Sequence, residues 1–118
     1  MALTMYHYPK CGTCRKAKKW FEDNEVDVNL IHIVEEPPAK ETLEELLEKS
    51  GLEVRKFFNT SGKKYRELGM KDRVKTDSEE ELLDLLASDG MLIKRPIVTD
   101  GDQVTVGFNE ETFEKKWK

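Results

Sequence analysis

The sequence predicts an α/β fold, and three observations lead to that prediction. Runs of β-branched and aromatic residues alternate with helical apolar stripes over the first 50 residues, the pattern of a β-α-β unit. Two apolar runs near residue 100 are separated by Asp100-Gly101-Asp102, which favours a hairpin. A stretch with helical signals, at about residues 38–90, lies between these parts. The predicted order is β-α-β, a helical insertion, then β-β-α.

Length and composition favour one globular domain over residues 1–118. The net charge of −4 argues against nucleic acid as a direct partner. No run approaches the roughly 20 apolar residues of a membrane helix. No basic signal-peptide region precedes the first strand, so we expect a cytoplasmic protein. In that compartment a lone pair of cysteines is typical of catalysis, redox sensing or metal binding.

The first strand and the first helix meet at the two cysteines of the chain. Apolar and aromatic residues over Leu3–Tyr8 predict a buried strand, which Pro9 ends. From Cys14 onward the residues predict a helix with a basic surface. Both thiols therefore lie at a strand-to-helix turn, with Cys11 at or just before the helix N-terminus.

The second strand and second helix follow directly. Mostly apolar, β-branched residues at 26–34 predict a strand parallel to the first. Pro37-Pro38 begins a predicted helix that runs to about Lys49 and ends at Ser50-Gly51. Its apolar stripe consists of Leu43, Leu46 and Leu47.

The rest of the insertion predicts three more helices. Two short helices are expected over residues 51–76, the second of them ended by Gly69. A longer helix begins at a cap between residues 76 and 78 and stops at Gly90. The apolar residues of these helices are Val54, Phe57 and Phe58, then Tyr65 and Leu68, then Leu82, Leu83, Leu85 and Leu86.

The C-terminal part predicts a hairpin and a helix. Pro96–Thr99 and Val104–Val106 are the two strands, and Asn109 caps a helix that presents Phe113 and Trp117 on one face. Without the insertion, this element order is the thioredoxin arrangement, whose sheet is four-stranded and mixed.

The Cys11-Gly12-Thr13-Cys14 motif favours redox or nucleophilic chemistry. Free amides and the positive end of the helix dipole favour a thiolate at Cys11. Cys14, one turn further on, is expected to be less exposed and to act as the resolving thiol. The alternatives are an incidental pair or half of a zinc site, but a closed zinc site needs about four ligands. The only histidines, His7 and His32, are interpreted as ordinary strand residues.

Three cations are candidates to stabilise a thiolate or bind an anion. Lys10 and Arg15 are nearest in sequence, with a solvated basic face as their alternative. Arg95 precedes Pro96, which could simply start a strand. In the thioredoxin arrangement the corresponding proline is cis and faces the CxxC turn. Arg95 would then lie beside Cys11; otherwise it is a surface arginine.

Four segments, in order along the chain, resemble the ArsC/Spx family of glutaredoxin-like proteins with a helical insertion. Tyr8–Ala17 resembles the active-site segment of the family, and Tyr65–Gly69 its central segment. Met91–Val98 is similar to its third-strand entry, and Val106–Glu110 to the ending seen on the Spx side. The chain is identified as a short, Spx/MgsR-like member, and a thioredoxin-like fold with cis Pro96 is implied.

The resemblance implies a thiol–disulfide oxidoreductase, with Cys11 as nucleophile and Cys14 as resolving thiol. Arsenate reductases of the family bind the oxyanion with three arginines, of which Arg95 matches one. Asn59 stands at about the second position, and no arginine lies near Val106-Gly107, so disulfide exchange is favoured over arsenate reduction. No bound cofactor is implied, and glutathione or thioredoxin would be the reductant for a small disulfide or oxyanion substrate.

The same resemblance leaves a regulator as the alternative. Spx-type proteins use a CxxC like this one as a redox switch and bind the C-terminal domain of the RNA polymerase α subunit. Gly51 falls near the glycine used in that contact, although the surrounding loop differs and the Spx tail is absent. In either role we expect a monomer that binds neither nucleic acid nor membrane directly.

Overall fold

The computed structural model describes residues 3–118, which form two compact units. The first unit contains residues 3–32 and 95–118, and the second contains residues 33–94. The predicted insertion at about 38–90 falls within the second unit. The single-domain organisation over residues 1–118 stays a prediction.

The first unit is built on a four-stranded mixed sheet with the order β2-β1-β3-β4. Strand β1 pairs with β2 in parallel and with β3 in antiparallel fashion, and β3 pairs with β4 as the predicted hairpin. The predicted α/β architecture is confirmed among the described residues. The strands are β1 (Leu3–His7), β2 (Val28–His32), β3 (Ile97–Thr99) and β4 (Val104–Val106).

Two helices complete this unit, α1 (Gly12–Asp23) and α6 (Glu110–Lys116). Helix α1 begins two residues before the predicted start, and Cys11 is its N-cap. The predicted cap of α6 is confirmed, because the Asn109 side chain accepts a hydrogen bond from the Thr112 N–H at 3.0 Å.

An apolar cluster joins both helices to the sheet. The Phe21 and Phe113 rings lie 5.3 Å apart between centroids, and both side chains are almost completely buried. This packing fixes α1, and therefore the cysteine turn at its N-terminus, on the sheet. The buried members of the cluster are Leu3, Met5, Ala17, Trp20, Phe21, Val98, Phe113 and Trp117.

The second unit contains four α-helices and two short 3₁₀ helices. Helix α2 begins at Lys40, three residues after the predicted start at Pro37. Helical backbone is disfavoured for a residue that precedes proline, so Pro37 is a poor helix start ahead of Pro38. The helices are α2 (Lys40–Ser50), α3 (Lys63–Glu67), α4 (Met70–Thr76) and α5 (Glu79–Ser88), with 3₁₀ turns at Val54–Phe57 and Gly90–Leu92.

Two glycines of this unit act differently from the prediction. Gly69 was expected to end a helix, but with φ +63° it is also the N-cap of α4, which the sequence did not predict. Gly90 was expected to stop α5, which instead ends at Ser88. A Cβ atom on Gly90 would clash with the Ile33 carbonyl, so this glycine permits a close backbone approach.

None of the helices within residues 3–118 has the length and apolar character needed to cross a lipid bilayer.

Candidate active site at the cysteine pair

The backbone after β1 turns sharply into α1 and brings Cys11 to the helix N-terminus. The Cys11 N–H donates to the Tyr8 carbonyl at 2.9 Å, which closes the turn around Pro9. The Cys11 carbonyl accepts the Arg15 N–H at 3.1 Å, the first hydrogen bond of the helix. Cys11 itself has extended backbone, as an N-cap residue should.

Both cysteines are free thiols, and they differ in exposure. Cys11 is half-buried, whereas the Cys14 side chain is only 2% exposed. Because the two residues are one helical turn apart, their side chains lie on the same side of α1. Only the first of the two thiols is open to a substrate.

The Cys11 thiol is the more acidic of the pair. Burial raises the pKa of Cys11, but four attractive interactions outweigh burial, and the pKa falls below its usual value. The Cys14 N–H and the Cys14 thiol donate hydrogen bonds to the Cys11 sulfur, and Arg95 adds a hydrogen bond and its charge. The helix N-terminus and one arginine therefore favour a thiolate at Cys11.

The Cys14 thiol has the opposite tendency. The pKa of Cys14 is raised to about 12, chiefly by burial and also by the hydrogen bond and the charge of the Cys11 sulfur. A hydrogen bond from the Tyr8 backbone and the charge of Arg95 act the other way without reversing the shift. Of the two thiols, Cys14 therefore holds its proton more tightly, and Cys11 is the one that ionises first.

Arg95 is brought to the site by β3. It precedes Pro96 through a cis peptide bond, and its half-buried guanidinium donates to the Cys11 sulfur. The same guanidinium lies over the Tyr8 ring, with 5.2 Å between Cζ and the ring centroid. The Pro96 carbonyl accepts the Gly107 N–H at 2.8 Å, which ties this strand entry to the end of β4.

The other two cations named from the sequence lie differently. Arg15 is exposed, and its Nε donates to the Pro9 carbonyl at 3.0 Å. Lys10 is exposed as well. The direct interactions that lower the pKa of Cys11 come from Cys14 and Arg95, and not from either of these two side chains.

Aromatic contacts at the edge of the site were not predicted from the sequence. His7 and His32 are register partners at the ends of β1 and β2, with ring centroids 6.2 Å apart. The Tyr8 and His32 rings are nearly perpendicular, with 5.6 Å between their centroids. Burial lowers the pKa of His7, and the charges of His32 and Lys18 lower it further. The sequence feature that could have indicated these contacts is Tyr8, an aromatic residue directly before Pro9 at the turn that leads to Cys11.

Of the three positions at which arsenate reductases of the family carry arginine, this chain has an arginine at one. Arg95 is in the first unit beside Cys11. Asn59, at the second position, belongs to the second unit, where its Oδ1 accepts the Ser61 hydroxyl at 3.4 Å. Near the third position, where no arginine was found, Gly107 adopts φ +84°.

The described residues contain no group of three or more histidine, cysteine, aspartate or glutamate side chains that could hold a metal ion.

The chain is similar to known proteins over nearly its whole length. The model of the ArsC family matches residues 6–116. The uncharacterized protein YusI of Bacillus subtilis is 64% identical over 99% of both chains. The regulatory protein MgsR of the same organism is 29% identical over 91% of this chain and 83% of its own length.

A solved structure shares the fold over a similar extent. The crystal structure of a possible arsenate reductase from Streptococcus mutans superposes with a TM-score of 0.86 and 47% identity. The match covers 95% of this chain and 97% of the other. The thioredoxin-like fold with a helical insertion, expected from the element order, is confirmed by this likeness.

Proposed function

Because the chain belongs to the ArsC family, we propose that it is a thiol–disulfide oxidoreductase in which Cys11 is the nucleophile and Cys14 the resolving thiol. The relatives of the chain include arsenate reductases as well as Spx regulators. The observation that carries the proposal is the difference between the two thiols. Cys11 is accessible with a lowered pKa, whereas Cys14 is buried with a pKa of about 12.

In the first step the Cys11 thiolate attacks one sulfur of a small disulfide. A bond forms between Cys11 and that sulfur, and the substrate S–S bond breaks. The other half of the substrate leaves as a thiolate and takes a proton from solvent. Arg95 stabilises the anionic sulfur before attack, with Arg15 and Lys10 adding positive charge at longer range.

In the second step Cys14 loses its proton to solvent and its sulfur attacks the Cys11 sulfur. The bond from Cys11 to the substrate breaks, and the second half of the substrate leaves as a thiolate that takes a proton from solvent. The Cys11–Cys14 disulfide forms, so the substrate disulfide gains two electrons and the cysteine pair loses two. Formation of the mixed disulfide removes the negative charge on Cys11, which is one reason for the raised pKa of Cys14. The resolving thiol therefore becomes easier to deprotonate when it is needed.

A thiol reductant such as glutathione or thioredoxin then restores both thiols by the reverse exchange. This scheme needs no bound cofactor. It fits the cytoplasm, where we expect the protein to act as a monomer.

Arsenate is the less favoured substrate. A tetrahedral oxyanion is held best by several planar, bidentate guanidinium groups. Arg95 supplies one, whereas Asn59 stands at about the second position and no arginine lies near Val106-Gly107 at the third. We therefore place small disulfides ahead of arsenate.

The test compares three proteins on a small aromatic disulfide and on arsenate, with glutathione or thioredoxin as reductant. Cys11→Ser is expected to remove all activity, because no nucleophile remains. Cys14→Ser should attack once and accumulate as a mixed disulfide that mass spectrometry detects. Equal rates for wild type, Cys11→Ser and Cys14→Ser would refute the proposal.

A second candidate function is a redox-sensing transcription regulator that binds the α subunit of RNA polymerase. It is favoured by the MgsR and Spx relatives and by a groove of about 600 Å³ on the second unit. Gly51 lines this groove beside the half-exposed Leu52 and four glutamates. A pull-down with the C-terminal domain of the polymerase α chain, using oxidised and reduced protein, separates the two functions. Failure to bind in both states would exclude the regulator.

A further inference from the structure

The Tyr8 ring contacts His32 on the edge strand β2 and the Arg95 guanidinium of the cysteine site. The Arg95 Cζ atom is 5.2 Å from the ring centroid. That separation is inside the about 6 Å over which the face of an aromatic ring attracts a cation. The same guanidinium donates to the Cys11 sulfur. One charged group therefore contacts the ring and the thiol at the same time.

Tyr8 is itself held from several directions. Its carbonyl accepts the Cys11 N–H at 2.9 Å, and its backbone N–H donates to the Cys14 sulfur. Its ring and the His32 ring meet at an interplanar angle of 86°. The two backbone hydrogen bonds fix where Tyr8 lies, and the His32 contact in β2 supports its half-buried ring as a surface for the guanidinium.

We propose that Tyr8 is a positioning residue: the face of its ring holds the Arg95 guanidinium against the Cys11 sulfur. This inference rests on the proposed role of Arg95 in stabilising the Cys11 thiolate. Arginine has a long side chain whose free rotation weakens any one contact. A ring face beneath the guanidinium restricts that rotation and keeps the charge where it acts on sulfur. The phenolic hydroxyl is not needed for this role, which the ring alone performs.

The experiment titrates the Cys11 thiolate by its absorbance at 240 nm, with Cys11→Ser as the blank. Tyr8→Leu, which has no ring, is expected to move the titration to higher pH. At a pH below the midpoint, the thiolate fraction should fall about two- to fivefold, the effect of losing a cation–π contact. Tyr8→Phe keeps the ring and should titrate like the wild type. Tyr8→Met, unbranched and apolar, should behave like Tyr8→Leu if the leucine variant does not fold.

Arg95→Gln distinguishes failure of this inference from failure of the proposed function. If Arg95→Gln leaves the titration unchanged, the proposed role of Arg95 is wrong, and the inference about Tyr8 falls with it. If Arg95→Gln shifts the titration and Tyr8→Leu does not, only the positioning role is overturned.

The double variant provides the final check, because a residue that acts through Arg95 has no effect without it. Tyr8→Leu in the Arg95→Gln background is expected to titrate like Arg95→Gln alone. An equal shift from Tyr8→Leu in both backgrounds would show that the ring acts on the thiol by another route. Circular dichroism and thermal melts establish that each variant is folded.

Discussion

At the scale of single residues, the site depends on where each arginine side chain goes. Arg15 is the nearest arginine to Cys11 in sequence, but its Nε donates to the Pro9 carbonyl. Arg95, more than 80 positions away, is the arginine that donates to the Cys11 sulfur. Sequence distance is therefore a poor guide to which cation stabilises the thiolate.

Arg95→Gln is expected to raise the pKa of Cys11, because both the hydrogen bond and the charge are lost. Charge-assisted hydrogen bonds contribute about 1.5–3 kcal/mol, so the thiolate fraction below the midpoint should fall at least about tenfold. The pH dependence of Cys11 alkylation by iodoacetamide, followed by mass spectrometry, measures this change.

Arg15→Gln is the matched control, an arginine in the same turn with the same substitution. We expect its alkylation profile to stay close to that of the wild type. A larger shift for Arg15→Gln than for Arg95→Gln would reverse the assignment of the two side chains.

The two thiols and the arginine could be found from the sequence, but the aromatic ring against which the arginine packs could not. A CxxC after an apolar run at a helix start specifies Cys11 and Cys14 by local signals. Arg95 required the element order and the family resemblance. The Tyr8 contact depends on side-chain direction at the end of β1, which no local pattern specifies.

At the scale of secondary structure, most helices and strands were predictable because their signals are local. The Asp-Gly hairpin and the Asn109 cap are examples of turn and cap residues with strong positional preferences. Helix α4 was missed because a glycine with positive φ can end one helix and begin the next. Gly90 looked like a helix stop because its tertiary neighbour, the Ile33 carbonyl, is 57 positions away in sequence.

Gly90→Ala is expected to destabilise the protein, because its Cβ would meet backbone atoms that cannot move aside as a side chain can. Overpacking of this kind costs about 1–3 kcal/mol. Urea denaturation followed by circular dichroism measures the loss in the free energy of unfolding.

Gly12→Ala is the matched control within α1. An added Cβ there has nothing within 4 Å, and alanine favours the helix by up to about 1 kcal/mol. Its free energy of unfolding should equal or exceed that of the wild type. If Gly90→Ala were as stable as Gly12→Ala, the close approach to Ile33 would not be structurally important.

At the scale of the whole molecule, the two thiols make stability depend on pH in opposite directions. The lowered pKa of Cys11 in the folded state contributes stability at high pH that is lost as the pH falls. The raised pKa of Cys14 has the reverse effect. Between the ordinary thiol range, about 8.5, and about 12, the unfolded chain loses this proton while the folded chain keeps it.

Stability of the reduced protein should therefore fall as the pH rises above about 9, with a contribution from Cys14 of up to about 1.4 kcal/mol per pH unit. Urea denaturation at several values between about pH 8.5 and 10.5 measures the slope for wild type and Cys14→Ser. The serine variant should lose this contribution, since its hydroxyl does not titrate in that window. Parallel slopes for the two proteins would contradict the raised pKa of Cys14.

The burial of Cys14 also makes this thiol a natural probe of local unfolding around α1. With 2% of its side chain exposed, Cys14 can meet a thiol reagent only when the packing around α1 loosens. After Cys11 has been blocked by a first reagent, the rate at which a second reagent labels Cys14 reports how often that happens. The labelling rate of Cys14 therefore measures how temperature, denaturant or crowding changes local unfolding, and no label has to be engineered into the chain.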